Sequence, residues 1–338
     1  MSTLSRYLSR WLAAVALAWP LLPVQADAVL AQPGELRAVE AQAAAAAFEA
    51  LDLDLRDASR QRDVPMRLYW PARAAAGDKV PLVVFSHGLG GSRRGYSYLG
   101  QYWASQGYAS LHVQHVGSDR QVWIGNPFGL VSRLQDAAQE REAEARVLDV
   151  RFALDQLLAS ERGARIDADR IVAAGHSYGA NTTLLLAGAR VARSGQDGAL
   201  LDLRDPRIKA AILISAPPFH GQGDSAAILK PVSIPTLHIT ATEDIIRIPG
   251  YYSEAKDRVA LYEATGSSAK ELVVFAGGSH SMFTDRAGTG GAVLNPRVKT
   301  ATKELTVAFL ARIFEGREDG LLRWAERHAD LIASKLRS

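Results

Sequence analysis

Ile171-Val-Ala-Ala-Gly-His-Ser-Tyr-Gly179 runs four apolar residues directly into a Gly-x-Ser-x-Gly turn, and the helix-forming stretch 180–190 follows at once. Glycines two residues before and two after Ser177 permit a close strand-to-helix approach. A strained turn of this kind lifts the serine Oγ out over the sheet. The pentapeptide alone carries little weight, because it arises by chance in many chains. The apolar strand before it and the helix after it supply the context that the pattern requires. Ser177 is therefore the candidate nucleophile.

Upstream, Val80-Pro-Leu-Val-Val-Phe85 is apolar on both faces, as a central parallel strand should be. It enters the loop Ser86-His-Gly-Leu-Gly-Gly91, whose glycines let a backbone amide turn toward the serine. Leu89 is the expected donor there, and Tyr178, the residue after the serine, is the second. Together they would form an oxyanion hole.

Downstream, Pro235-Thr-Leu-His-Ile-Thr240 reads as a strand, with Ala241-Thr-Glu-Asp244 at its C-terminal end. Catalytic groups of open α/β sheets gather at that end. A serine needs a histidine, and the histidine needs a carboxylate to orient it. Asp244 is the preferred acid, and spacing leaves its neighbour Glu243 open. Glu271–Phe275 is read as the last strand, followed by a glycine loop that ends at His280, the candidate base.

The remaining chain fits around this frame. Leu51, Leu53 and Leu55 alternate with charges, as do the apolar residues of 64–70, which predicts an antiparallel N-terminal hairpin. Helices are expected over 39–50, 96–106, 132–160 (with a break near Arg141), 300–314 and 318–336, and strands over 108–113 and 208–215. Segments 196–206 and 219–230 read as loops, and 123–129 as an aromatic loop able to line a cleft. His112, His115 and Asp119 read as packing or loop residues, and His220 as a loop residue. The resulting fold class is α/β: a mostly parallel central sheet with that hairpin at one side and helices on both faces.

Composition narrows the function. The chain has 338 residues, a 48% hydrophobic and 22% charged composition and no cysteine. This excludes a cysteine nucleophile, a thiolate metal site and dependence on a disulfide. The net charge of +3 includes Arg6 and Arg10, and no basic block stands out, so nucleic-acid binding has no support. Residues 1–26 read as a signal peptide: Arg6 and Arg10, an apolar run, then Val24-Gln25-Ala26 at the cleavage position. Residues 27–50 would be an N-terminal extension and 51–338 one catalytic domain, periplasmic or secreted, with no stable membrane span after cleavage.

These motifs resemble the α/β-hydrolase superfamily, and more closely its platelet-activating-factor acetylhydrolase-like and predicted dienelactone-hydrolase-like branch. The resemblance covers about residues 51–314. Its most specific pieces are Phe85–Gly91 with Tyr96-Ser97, Gly107-Tyr108, Gly117–Asp119 and Gly175–Ala180. Bacterial cutinase-type polyester hydrolases look like more distant relatives. They usually carry an aromatic residue at the position of Leu89, and often a terminal disulfide that this chain cannot form. The resemblance implies Ser177, Asp244 and His280 as the triad and Leu89 and Tyr178 as oxyanion donors, with no metal or organic cofactor. The expected activity is hydrolysis of short to medium acyl esters, small-molecule or lipid-like, through an acyl-enzyme. A lipase, a polyester hydrolase, an amidase or peptidase, and a silent binding protein are the alternatives.

Overall fold

The computed structural model describes residues 47–337, apart from 73, 76, 197, 220, 249 and 286–290. The signal-peptide and cleavage-site readings, and that of His220, lie outside the described residues. The first strands are β1 (Phe48–Asp57) and β2 (Arg62–Pro71), paired antiparallel as their alternating patterns require. Phe48–Ala50, expected to be helical, begin β1 instead. Their helix propensity is worth only tenths of a kcal/mol per residue, less than pairing with Tyr69, Trp70 and Pro71.

Strand β3 (Val80–Ser86) is buried at every position and shows why its sequence does not alternate. Leu82 and Val84 face one apolar cluster, while Val83 and Phe85 face another on the opposite side of the sheet. Then come α1 (Ser97–Ser105), β4 (Ala109–Val113), α2 (Leu130–Ala137) and α3 (Glu140–Leu158). The expected helical break near Arg141 falls at residues 138–139, so Arg141 lies in the first turn of α3.

Beyond β5 (Ile166–His176) and α4 (Tyr178–Ala187), a small hairpin of β6 (Arg190–Ala192) and β7 (Leu200–Asp202) spans much of the expected loop. Next are β8 (Ile208–Ile214), α5 (Ser225–Leu229) and β9 (Thr236–Glu243). The short helix α5 lies in the segment expected to be a loop, with Asp224 capping its first turn. A second hairpin of β10 (Ile246–Ile248) and β11 (Tyr251–Ser253) follows, then α6 (Ala255–Ala264) and β12 (Lys270–Ser279). The last elements are α7 (Leu294–Glu315), α8 (Asp319–Arg327) and β13 (Ile332–Arg337).

The main sheet has nine strands in the order β1-β2-β4-β3-β5-β8-β9-β12-β13, parallel from β4 through β12 and antiparallel at both edges. The second antiparallel edge corrects the sequence reading. The helix expected over 318–336 stops at Arg327, and 332–337 pairs with β12, so β12 is not the edge of the sheet. Helices α3 and α4 cover one face; α1, α7 and α8 cover the other. Among the described residues no helix is long and apolar enough to cross a membrane.

Candidate active site

Ser177 sits between β5 and α4 with φ 55° and ψ −124°, a conformation that costs a non-glycine residue energy. Two glycines make the turn possible. A Cβ on Gly175 would collide with the carbonyl of Gly179, and one on Gly179 with the carbonyl of Ser86. The strand and helix therefore approach closely, and the serine amide is anchored to the Ile214 carbonyl at 2.9 Å.

The structure brings the three candidate catalytic side chains together. His280 Nε2 lies 2.8 Å from Ser177 Oγ, and His280 Nδ1 lies 2.7 Å from Asp244 Oδ1. Asp244 is fully buried, whereas Glu243 is exposed, which resolves the choice between them. The second carboxylate oxygen of Asp244 accepts a hydrogen bond from the Thr240 hydroxyl at 2.7 Å. Buried Arg258 on α6 places Nη2 3.5 Å from Asp244 Oδ1. Burial alone would raise the Asp244 carboxyl pKa. The hydrogen bond to His280, the charge of that ring and the Arg258 guanidinium outweigh it and hold the group below the usual carboxylate range. An ionised acid beside Nδ1–H keeps Nε2 free to accept a proton, so this is the arrangement of a Ser-His-Asp triad consistent with acyl-enzyme chemistry.

Sequence reasoning missed a second layer. His176, the residue before the serine, is fully buried, and burial together with nearby His280 pushes its pKa down to about 3. Its neutral ring has one tautomer that fits. Nε2–H donates to the carbonyl of His280 at 3.0 Å, so Nδ1 accepts from the Tyr96 hydroxyl at 2.8 Å. The same Tyr96 oxygen accepts from the Gly88 amide at 3.4 Å. One tyrosine–histidine pair thus links the glycine loop after β3 to the backbone of the triad histidine. His176 within the pentapeptide was visible, but nothing in its spacing identified Tyr96.

The loop 87–91 is held amide by amide: Gly90 N–H donates to the Ser118 carbonyl at 2.8 Å and Gly91 N–H to the Gly88 carbonyl at 3.0 Å. Leu89, between Gly88 and Gly90, and Tyr178 at the first position of α4 line the same cavity as Ser177. That cavity encloses about 1000 Å³. Leu89, Trp123, Leu134, Leu185 and Phe219 form much of its apolar wall, and Ile246, Ile248 and Tyr251 of the second hairpin add to it. Trp123, from the expected aromatic loop, donates its indole N–H to the Gly90 carbonyl at 3.0 Å.

The other described histidines lie apart from the triad in packing or hydrogen-bonding roles. His112 packs among Tyr69, Phe85 and Trp103, and His115 bonds Asp149 and Ser86. Asp119 caps a short 3₁₀ turn. Among the described residues no group of three potential ligands could hold a metal ion.

A family model for platelet-activating factor acetylhydrolase, isoform II, matches residues 55–123, a stretch that includes the loop around Leu89 and ends before Ser177. The platelet-activating factor acetylhydrolases of Bos taurus and Cavia porcellus are 30% and 28% identical over 153 and 150 residues. Each alignment covers 34% of this chain and 33% of the relative, so the chain spans about a third of the length of these proteins. The solved structure of a ferulic acid esterase from Streptomyces cinnamoneus superposes over 79% of this chain and 90% of its own, with TM-score 0.56 and 23% identity. The chain has the α/β-hydrolase fold. Within that α/β-hydrolase frame, the serine turn, the acid after β9 and the histidine after β12 all lie at the C-terminal ends of parallel strands, where this sheet type collects its chemistry.

Proposed function

We propose that this chain is a serine carboxylic-ester hydrolase of the platelet-activating-factor acetylhydrolase-like branch, acting through an acyl-enzyme on short to medium acyl esters. The observation that carries the reading is the continuous relay Asp244–His280–Ser177, with hydrogen bonds of 2.7 and 2.8 Å, opening into an apolar cavity. His280 Nε2 takes the proton of Ser177 as Oγ bonds to the ester carbonyl carbon, and the carbonyl electron pair moves onto oxygen. The amides of Leu89 and Tyr178 receive that oxyanion. When it collapses, the ester C–O bond breaks and His280 returns the proton to the departing alcohol. Water, deprotonated by the same histidine, then releases the acid. The chain's own residues supply every proton transfer in this sequence.

The acetylhydrolase name of the matched relatives supports the short-acyl end of the range. The volume of the cavity favours a second reading, a lipase or polyester hydrolase taking longer or bulkier esters. At about 1000 Å³ it lies at the upper limit of ordinary ligand pockets. Resemblance to the dienelactone-hydrolase-like and cutinase-type groups rests on the sequence motifs alone. Export to the periplasm or the medium is part of the proposal and rests on the sequence of residues 1–26; N-terminal sequencing of the mature protein tests it.

Initial rates on p-nitrophenyl esters from acetate to palmitate, with Ser177→Ala in parallel, test the activity. Ser177-dependent turnover that peaks at short or medium chains is expected. A peak at palmitate would move the assignment to a lipase, and equally slow wild type and variant would sink ester hydrolysis.

A further inference from the structure

Behind the loop of Leu89 lies a charged side chain that touches no reacting atom. Arg146, on α3, is fully buried, and among the described residues it forms no ion pair. Its guanidinium is held by neutral oxygens instead. Nε donates to the Thr182 hydroxyl at 2.9 Å, Nη1 to the Ser118 hydroxyl at 2.8 Å, and Nη2 to the carbonyl of His87. The plane also lies over the Tyr178 ring, 4.5 Å from its centroid. Ser118 passes the charge onward by donating to Glu142 at 2.7 Å, and the Ser118 carbonyl holds the Gly90 amide.

Burying a guanidinium with no carboxylate in direct contact is costly. Glu142 and Asp149 offset that cost only from a distance, and the three hydrogen bonds fix where the group sits. What it holds is specific. One planar fork fixes the peptide two residues before Leu89, the loop that anchors Gly90, and both the ring and the next turn of the helix that begins at Tyr178. Those are the two sides of the proposed oxyanion hole. Amide donors act on a developing oxyanion only if they are fixed in advance at hydrogen-bond distance, and a glycine-rich loop does not fix itself. We propose that Arg146 is the positioning residue of the oxyanion hole, setting the Leu89 and Tyr178 amides at a common distance from the carbonyl oxygen. This inference rests on the esterase reading above.

A lysine would keep the charge and lose the fork. Arg146→Lys and Thr182→Val, which removes one arm of the fork from outside the loop, are compared with wild type and Ser177→Ala on p-nitrophenyl butyrate. Each is also titrated with an alkyl trifluoromethyl ketone. Ser177 Oγ adds to its carbonyl carbon, the proton passes to His280, and the resulting oxyanion sits in the hole. Binding of butyrate serves as the ground-state control, and thermal unfolding reports folding.

Expected are a kcat loss of about 30-fold or more for Arg146→Lys and about fivefold for Thr182→Val. Ketone affinity should weaken in step, with KM and butyrate binding within threefold of wild type. Folded Arg146→Lys with wild-type kcat and ketone affinity would overturn the proposal. So would losses that appear in KM and butyrate binding rather than in kcat. If Arg146→Lys does not fold, Thr182→Val decides by the same criteria. A wild type as inactive as Ser177→Ala would remove the esterase reading itself, an outcome distinct from active wild type with unaffected variants.

Discussion

Replacing Asp244 by asparagine isolates what the acid contributes, because the exchange preserves shape and removes only charge and acceptor symmetry. In the native site one carboxylate oxygen receives His280 Nδ1–H and the other receives the Thr240 hydroxyl, each at 2.7 Å. An asparagine must place its NH2 at one of these positions. If its oxygen stays with Thr240, the NH2 faces His280 Nδ1, which becomes the acceptor. The ring proton then moves to Nε2 and points at Ser177, and the base is lost. In unrelated serine hydrolases this wrong tautomer lowers kcat by about 10⁴, equivalent to about 5 kcal/mol. Thr240 favours that orientation by roughly one neutral hydrogen bond, about 1 kcal/mol. Arg258 Nη2, 3.5 Å from the position of Oδ1, favours an oxygen on the histidine side instead. Removing the hydroxyl should therefore let the amide turn. Asp244→Asn alone is expected to lower kcat by about 10³–10⁴ at unchanged KM, and the double variant Asp244→Asn/Thr240→Val to recover about fivefold. The assay is steady-state hydrolysis of p-nitrophenyl butyrate, with circular dichroism to confirm folding. A folded single variant within tenfold of wild type would refute the assignment of Asp244. A double variant slower than the single would refute the orientation argument.

Two further outcomes test the surroundings of the site. His238, on the interior strand β9, has its pKa pushed from 6.5 down to about 3, chiefly by burial, and among the described residues its Nε2 has no hydrogen-bond partner. The unfolded chain then binds a proton that the folded chain refuses, so stability is lost as pH falls below about 6.5, by about 2 kcal/mol at about pH 5. Urea unfolding should show His238→Leu gaining about 2 kcal/mol on wild type between about pH 8 and pH 5, and a pH-independent difference would contradict this. At the tyrosine–histidine link, Tyr96→Phe removes the donor to His176 Nδ1 without changing ring packing. We expect kcat to fall about tenfold with little change in KM, measured on the same ester, whereas a KM effect alone would assign Tyr96 to substrate contact instead.

The parts of the molecule that could be read from sequence are those whose constraint is local. Gly175 is needed because a Cβ there would meet the carbonyl of Gly179, and that demand is written within five residues, whereas the carbonyl that excludes a Cβ at Gly179 is that of Ser86 on the adjoining strand. The parallel strands declared themselves because residues such as Leu82 and Val83 are buried on opposite faces, which leaves no polar position in the run. The C-terminal strand was misread because its state depends on a partner. Residues 332–337 have no strong period of their own, and pairing with 271–275 decides them. Glu243 and Asp244 could not be separated by spacing, since what distinguishes them is which one the chain turns inward as β9 ends. The supports of the site were hidden for the same reason at longer range. Tyr96 meets His176 across 80 residues, and Arg146 meets His87 across 59. Each is an ordinary tyrosine or arginine in its own helix or loop and acquires a task only when the sheet brings the glycine loop beside the serine turn. The cavity wall follows this logic to its end. Ile246, Ile248 and Tyr251 reach it from a hairpin of three-residue strands, too short to give a pattern. Reaction class is therefore carried by the most local feature of the chain, and the shape of the acyl site by the least local.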